Sequence, residues 1–123
     1  MTTVTNVKVK YIRPKYDNLA EWMNDKNNVY IGRRGIVFID GKRFPNSDSI
    51  WANPYVLKKY GGDRELVRKM YESYIRNRIV DENLQDELMK LDGKRLGCWC
   101  HPESCHGDIL VQLIDELKSR GNI

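Results

Sequence analysis

The sequence predicts a small α/β sandwich: one domain over residues 1–123 with a largely parallel, Rossmann-like sheet and an inserted β-hairpin. Three observations carry this. Short β-branched or apolar runs at the start, at residues 29–31 and at residues 96–100 are separated by longer segments of helical periodicity. The apolar run at residues 109–117 closes the chain as a helix. An Asp-Gly pair sits between two short strand-like segments at residues 36–44. With 123 residues, 41% hydrophobic and 31% charged, the composition suits one globular core.

Element by element, Val4, Val7 and Val9, with Tyr11 and Ile12 beyond, form a β-branched stretch in which Val7, Val9 and Tyr11 alternate with Lys8 and Lys10, which predicts an edge strand with a basic outer face, ended by Pro14. Residues 18–24 read as a short helical turn carrying Leu19, Trp22 and Met23 over the core. Val29, Tyr30 and Ile31 form the next strand, which runs into the turn Gly32-Arg33-Arg34-Gly35. In a parallel sheet ligands collect at the carboxyl ends of strands, so Gly32 and Arg33 are candidate phosphate contacts. Residues 34–49, with the Asp40-Gly41 hairpin, read as an inserted β-arm whose Lys42 and Arg43 could touch nucleic acid. In Trp51-Ala52-Asn53-Pro54-Tyr55, Pro54 holds Asn53 extended. That offers an amide between two flat walls for a base, although Trp51 and Tyr55 as core aromatics and Asn53 as a turn-former fit equally well.

Asp63 caps the longest predicted helix, residues 64–80. Its buried stripe is Leu66, Val67, Met70, Tyr71, Tyr74 and Ile75, with Arg64, Arg68, Arg76 and Arg78 turned mostly outward. A second helix, residues 82–91, is capped by Asp81, packs through Leu84, Leu88 and Leu91, and stops at Asp92-Gly93.

All three cysteines and both histidines fall between Cys98 and His106. Alternation along the strand puts Cys98 and Cys100 on one face and Gly97 and Trp99 on the other. Either Ser104 or His101 is the expected N-cap of the last helix. With either, Cys105 and His106 lie in the first turn, where free N–H groups and the helix dipole favour an anion. Two chemistries follow. Cys98, Cys100, His101, Cys105 and His106 are residue types that hold zinc, the one cofactor this cluster suggests. Alternatively, Cys105 is an activated thiolate with a pKa lowered by the helix terminus and an imidazole.

The motif Cys-Trp-Cys-x-Pro-x-x-Cys-His-Gly-Asp, with Val29 to Arg33 and Trp51 to Tyr55 upstream, resembles DUF4326, a family of small uncharacterised domains of phages, large viruses and bacteria. The resemblance runs from about residue 29 to about residue 117 and implies a shared site without naming its chemistry. It covers Gly32 and Arg33 and stops short of Arg34.

The three blocks all follow predicted strands and are expected to converge on one pocket. There Gly32, Arg33 and Ser104 hold an anion, Trp51 or Tyr55 stacks and Asn53 reads an edge. Cys105 or His106 is the nucleophile or acid/base candidate, with Asp108 orienting the imidazole. The expected partner is a nucleotide or another anionic small molecule, in line with a net charge of +4. The rival reading is a zinc-stabilised module that binds nucleic acid or protein without catalysis. A third is a viral or phage accessory protein docking through its basic hairpin. No window reaches the roughly twenty apolar residues of a membrane span and the start lacks a signal-peptide core, so a soluble protein of a reducing cytoplasm, without membrane contact, is expected.

Overall fold

In the computed structural model, which describes residues 1–99 and 105–121, strand β5 (Arg95–Cys98) is central. It pairs in parallel with β1 (Thr3–Asn6) on one side and β2 (Asn28–Tyr30) on the other. The mixed α/β fold thus has a parallel sheet in the order β1-β5-β2 and a separate antiparallel hairpin, β3 (Val37–Ile39) with β4 (Lys42–Phe44). Asp40 and Gly41 at its tip both have positive φ, at 52° and 77°, the backbone that a two-residue hairpin turn of this sequence demands.

The sheet separates two apolar clusters. Leu96 and Cys98 face the larger one, built with Tyr71, Ile75 and Ile79 of α3 (Arg64–Asp81), Leu88 of α4 (Gln85–Met89), and Ile109, Leu110, Leu113 and Ile114 of α5 (His106–Gly121). Gly97 faces the smaller one, where Val7, Ile12, Leu19, Trp22 and Tyr30 meet. The alternation predicted for Cys98 against Gly97 and Trp99 is therefore present, while Cys100 lies outside the described residues. The absence of a side chain at Gly97 is what lets Trp22 and Val7 approach the central strand.

Three elements depart from expectation. The first strand ends at Asn6, because the Asn6 side-chain oxygen accepts the Lys8 N–H at 3.0 Å and turns the chain. Residues Val9–Ile12 then form one helical turn, α1, which leaves Val9 and Tyr11 exposed, so the Val-Lys alternation is not a strand. In α3 the N-cap Asp63 accepts from the Leu66 N–H as expected, but Leu66 itself is exposed and Ile79 completes the buried stripe. Asp81 is the last residue of α3 and caps nothing further on; α4 starts only at Gln85, after a turn in which Asn83 takes φ 55°. The short helix α2 (Leu19–Asn24) forms where predicted, with Asn18 accepting the Glu21 N–H. The hairpin is no free arm, since Val37 and Phe44 pack on the smaller cluster. Among the described residues no helix is long and apolar enough to cross a membrane.

Candidate functional site

Beyond the carboxyl ends of β2 and β5 lies a cavity of about 130 Å³. The chain reaches it from all three of the motif blocks. Gly32 and Arg33 follow β2, Asn53 and Tyr55 come from the Pro54 bend, and Cys98, Trp99, Cys105 and His106 flank the turn from β5 to α5. Ile36, Leu57 and one face of α3, with Arg64, Val67 and Arg68, complete the lining. The inner wall is buried at Val67, Cys98 and Cys105, whereas Arg33 and Ile36 are exposed at the rim.

Local hydrogen bonding shows how these side chains are held. Trp99 Nε1 donates to the Tyr30 hydroxyl at 2.9 Å, and that hydroxyl donates to the Arg33 carbonyl at 2.8 Å. One chain thereby fixes both an aromatic wall and the backbone of the arginine turn. Burial pushes the Tyr30 phenol up, so it stays a donor at neutral pH. A Cβ on Gly32 would collide with the Tyr30 hydroxyl and ring, which explains a glycine here without any role in phosphate contact. Asn53 accepts the Tyr55 N–H at 2.9 Å through Oδ1, the turn-forming alternative, which leaves its NH₂ as the group it can offer a ligand.

His106 Nε2 lies 2.7 Å from the Ile31 carbonyl. A carbonyl only accepts, so Nε2 carries the proton and Nδ1 of the neutral ring is an acceptor. Burial pushes the imidazolium pKa down, the Ile31 carbonyl opposes this, and the positive charge of Arg33 adds to the lowering. The ring is therefore neutral at physiological pH. Ile31, not Asp108 as expected, holds the ring by a hydrogen bond. Asp108 is exposed and its carboxylate instead accepts the Cys105 backbone N–H at 3.2 Å.

Cys105 directly precedes α5 and acts as its cap, its sulfur accepting from the Gly107 N–H at 3.3 Å and its carbonyl from the Asp108 N–H at 3.1 Å. The expected caps, Ser104 and His101, lie outside the described residues. The N–H groups of Cys105, Gly107 and Asp108 all have partners within the chain and a carboxylate already stands at this terminus. Three of the donors expected to hold an anion at the start of α5 are thus engaged within the chain. The Cys105 thiol is likewise not activated. Its sulfur lies 3.2 Å from that of Cys98, and the neighbouring thiol together with burial pushes its pKa up.

Trp51 does not reach the cavity. It is buried in the larger cluster with its carbonyl accepting the Tyr71 hydroxyl at 2.8 Å, so the core reading holds for it. Trp99 stands where Trp51 was expected. Arg64 and Arg68 also turn inward to the cavity, and the signal for them was available: Arg64, Val67, Arg68 and Tyr71 follow a three-four spacing that continues the buried stripe. Arg76 and Arg78 do stay on the surface, paired with Glu72, Glu116 and Glu82. Arg43 of the hairpin lies over the Phe38 ring at 4.7 Å and donates to the Gly35 carbonyl at 3.0 Å. Of the zinc candidates, Cys100 and His101 lie outside the described residues, and His106 has Nε2 on a carbonyl. Among the described residues no group of three or more His, Cys, Asp or Glu could hold a metal ion.

The family profile of a domain of unknown function, DUF4326, matches residues 15–116. The chain belongs to the DUF4326 family. The match begins earlier than the upstream motif at residue 29 and spans the hairpin. The chain is 37% identical over 94 residues to an uncharacterised protein of Acanthamoeba polyphaga mimivirus, covering 70% of this chain and 65% of that one. It is 35% identical over 69 residues to an uncharacterised 12.4 kDa protein from the nrdA-td intergenic region of Enterobacteria phage T4, covering 56% and 63%. The chain thus spans a little under two thirds of the length of each of these relatives. No solved structure matches it.

Proposed function

We propose that this DUF4326 domain binds a nucleotide-like anion in the cavity beyond β2 and β5. What supports the reading is one juxtaposition: Arg33, Arg64 and Arg68 line the same small hollow as Trp99 and Tyr55, and the inner wall behind them is uncharged. Among the described residues neither Arg33 nor Arg68 has an ion-pair partner. A phosphate would take charge-assisted, paired hydrogen bonds from these guanidinium groups. A planar ring would lie against the aromatic walls and the apolar Ile36, Leu57 and Val67. His106 Nδ1, an acceptor, would take a hydroxyl or N–H of the ligand and would repel its anion, so the charged end belongs at the arginines. Should a reaction of the bound nucleotide follow, His106 is the proton acceptor, and Cys105, capped and un-ionised, is not the group that attacks the nucleotide.

A cavity at the carboxyl ends of parallel strands is the Rossmann-like placement of a nucleotide. The reading sets the protein in a reducing cytoplasm, where its thiols stay reduced. Calorimetric titration with nucleoside 5′-monophosphates tests it. Wild type is expected to bind, and Arg33→Ala to bind roughly tenfold more weakly, the loss of one charge-assisted hydrogen bond. No binding by wild type, or equal binding by both, removes the idea.

A further inference from the structure

Cys98 and Cys105 bring two sulfurs to 3.2 Å in the wall of the cavity. They arrive from elements fixed independently. Cys98 ends a strand paired on both edges, and Cys105 is held by the cap hydrogen bonds to Gly107 and Asp108. A disulfide needs about 2.05 Å between sulfurs. The pair is a little over an ångström from bonding.

We infer that Cys98 and Cys105 are a modification site, a thiol pair that closes to a disulfide when a small-molecule disulfide enters the cavity, and that closure weakens ligand binding there. The step balances simply. The more exposed Cys105, at 7% against 1% for Cys98, attacks the reagent disulfide and releases one thiol. Cys98 then displaces the second thiol and the Cys98–Cys105 bond forms; the two protein thiol protons leave with the two reagent thiols. The raised pKa of Cys105 makes the first attack slow, while the second is intramolecular between sulfurs already in contact. Bonding to Cys98 draws the Cys105 sulfur off the Gly107 N–H at the start of α5 and reshapes the inner wall next to His106.

The consequence for binding rests on the proposed nucleotide reading; the bond itself does not. The full chain, folded and reduced, is incubated with oxidised glutathione, its free thiols are alkylated, and it is cleaved after Glu103. That cut separates Cys98 and Cys100 from Cys105, so a bridge to Cys105 keeps the fragments joined. The expected result is a product lighter by two hydrogens, its fragments joined through Cys98 and Cys105 with Cys100 alkylated, and reversal by dithiothreitol. The oxidised protein is expected to bind a nucleoside 5′-monophosphate at least about tenfold more weakly than the reduced protein. Fragments that separate, a bridge through Cys100, or a stable mixed disulfide with glutathione overturns the inference. Equal affinity in both states overturns its binding half. Absence of binding by the reduced protein sinks the nucleotide reading, and the fragment pattern still decides the thiol pair.

Discussion

Gly97→Ala is expected to lower the stability of the fold by about 3 kcal/mol, at the upper end of what added methyl groups cost in packed cores. A Cβ built at this position meets Trp22 Cζ3 and Val7 Cγ1 at 2.7 Å, closer than any real contact. Neither neighbour can retreat, since Trp22 is 2% and Val7 1% exposed. The strand cannot retreat either, since β5 is hydrogen-bonded to β1 and β2 on its two edges. For a chain of this length the cost corresponds to a fall in Tm of about 10 °C. Thermal unfolding followed by circular dichroism checks it, and a Tm within about 2 °C of wild type would mean that the two clusters are not held apart at Gly97 as described.

The second large effect concerns binding alone. Arg33→Ala combined with Arg68→Ala is expected to weaken a nucleoside 5′-monophosphate on the order of a hundredfold or more, because each guanidinium contributes roughly 1.5–3 kcal/mol in charge-assisted hydrogen bonds. Stability is expected to change by less than about 0.5 kcal/mol, since Arg33 is exposed, Arg68 is only partly buried and neither holds the core. The same double change at Lys42 and Lys10, exposed cations away from the cavity lining, is expected to leave affinity within about twofold, allowing for screened long-range attraction. Affinity lost equally by both pairs points to a diffuse basic surface instead.

Much of this was legible in the residues. The central strand could be read from the run Leu96 to Cys100, which is short, apolar and bounded; the observed strand is Arg95–Cys98. The hairpin could be read from Asp40-Gly41, and the α3 start from Asp63. The meeting of the three blocks followed from one rule about the carboxyl ends of parallel strands, and Gly32, Arg33, Asn53, Tyr55, Cys105 and His106 do line one cavity.

What was not legible is equally physical. Val9 and Tyr11 keep a strand's alternation, yet a side-chain hydrogen bond from Asn6 ends the strand before them. Trp51 and Trp99 are chemically identical side chains, and only the three-dimensional packing decides that the first fills the core and the second, not expected there, lines the hollow. The helix terminus looked open to an anion because sequence spacing does not reveal that Cys105 and Asp108 satisfy it from within. A different contact, with the Cys98 sulfur, reverses the expected ionisation of Cys105, as its partner is another buried thiol and not an imidazole.

The indole N–H signals of the three tryptophans report directly on where a ligand sits. Trp22 and Trp51 are buried in separate clusters, and Trp99 alone among them lines the cavity. Titrating ¹⁵N-labelled protein with a nucleoside 5′-monophosphate should shift the Trp99 indole signal, identified by its loss in Trp99→Phe, well beyond those of Trp22 and Trp51. A saturating titration in which the Trp99 signal stays still would contradict a ligand seated between the arginines and that ring.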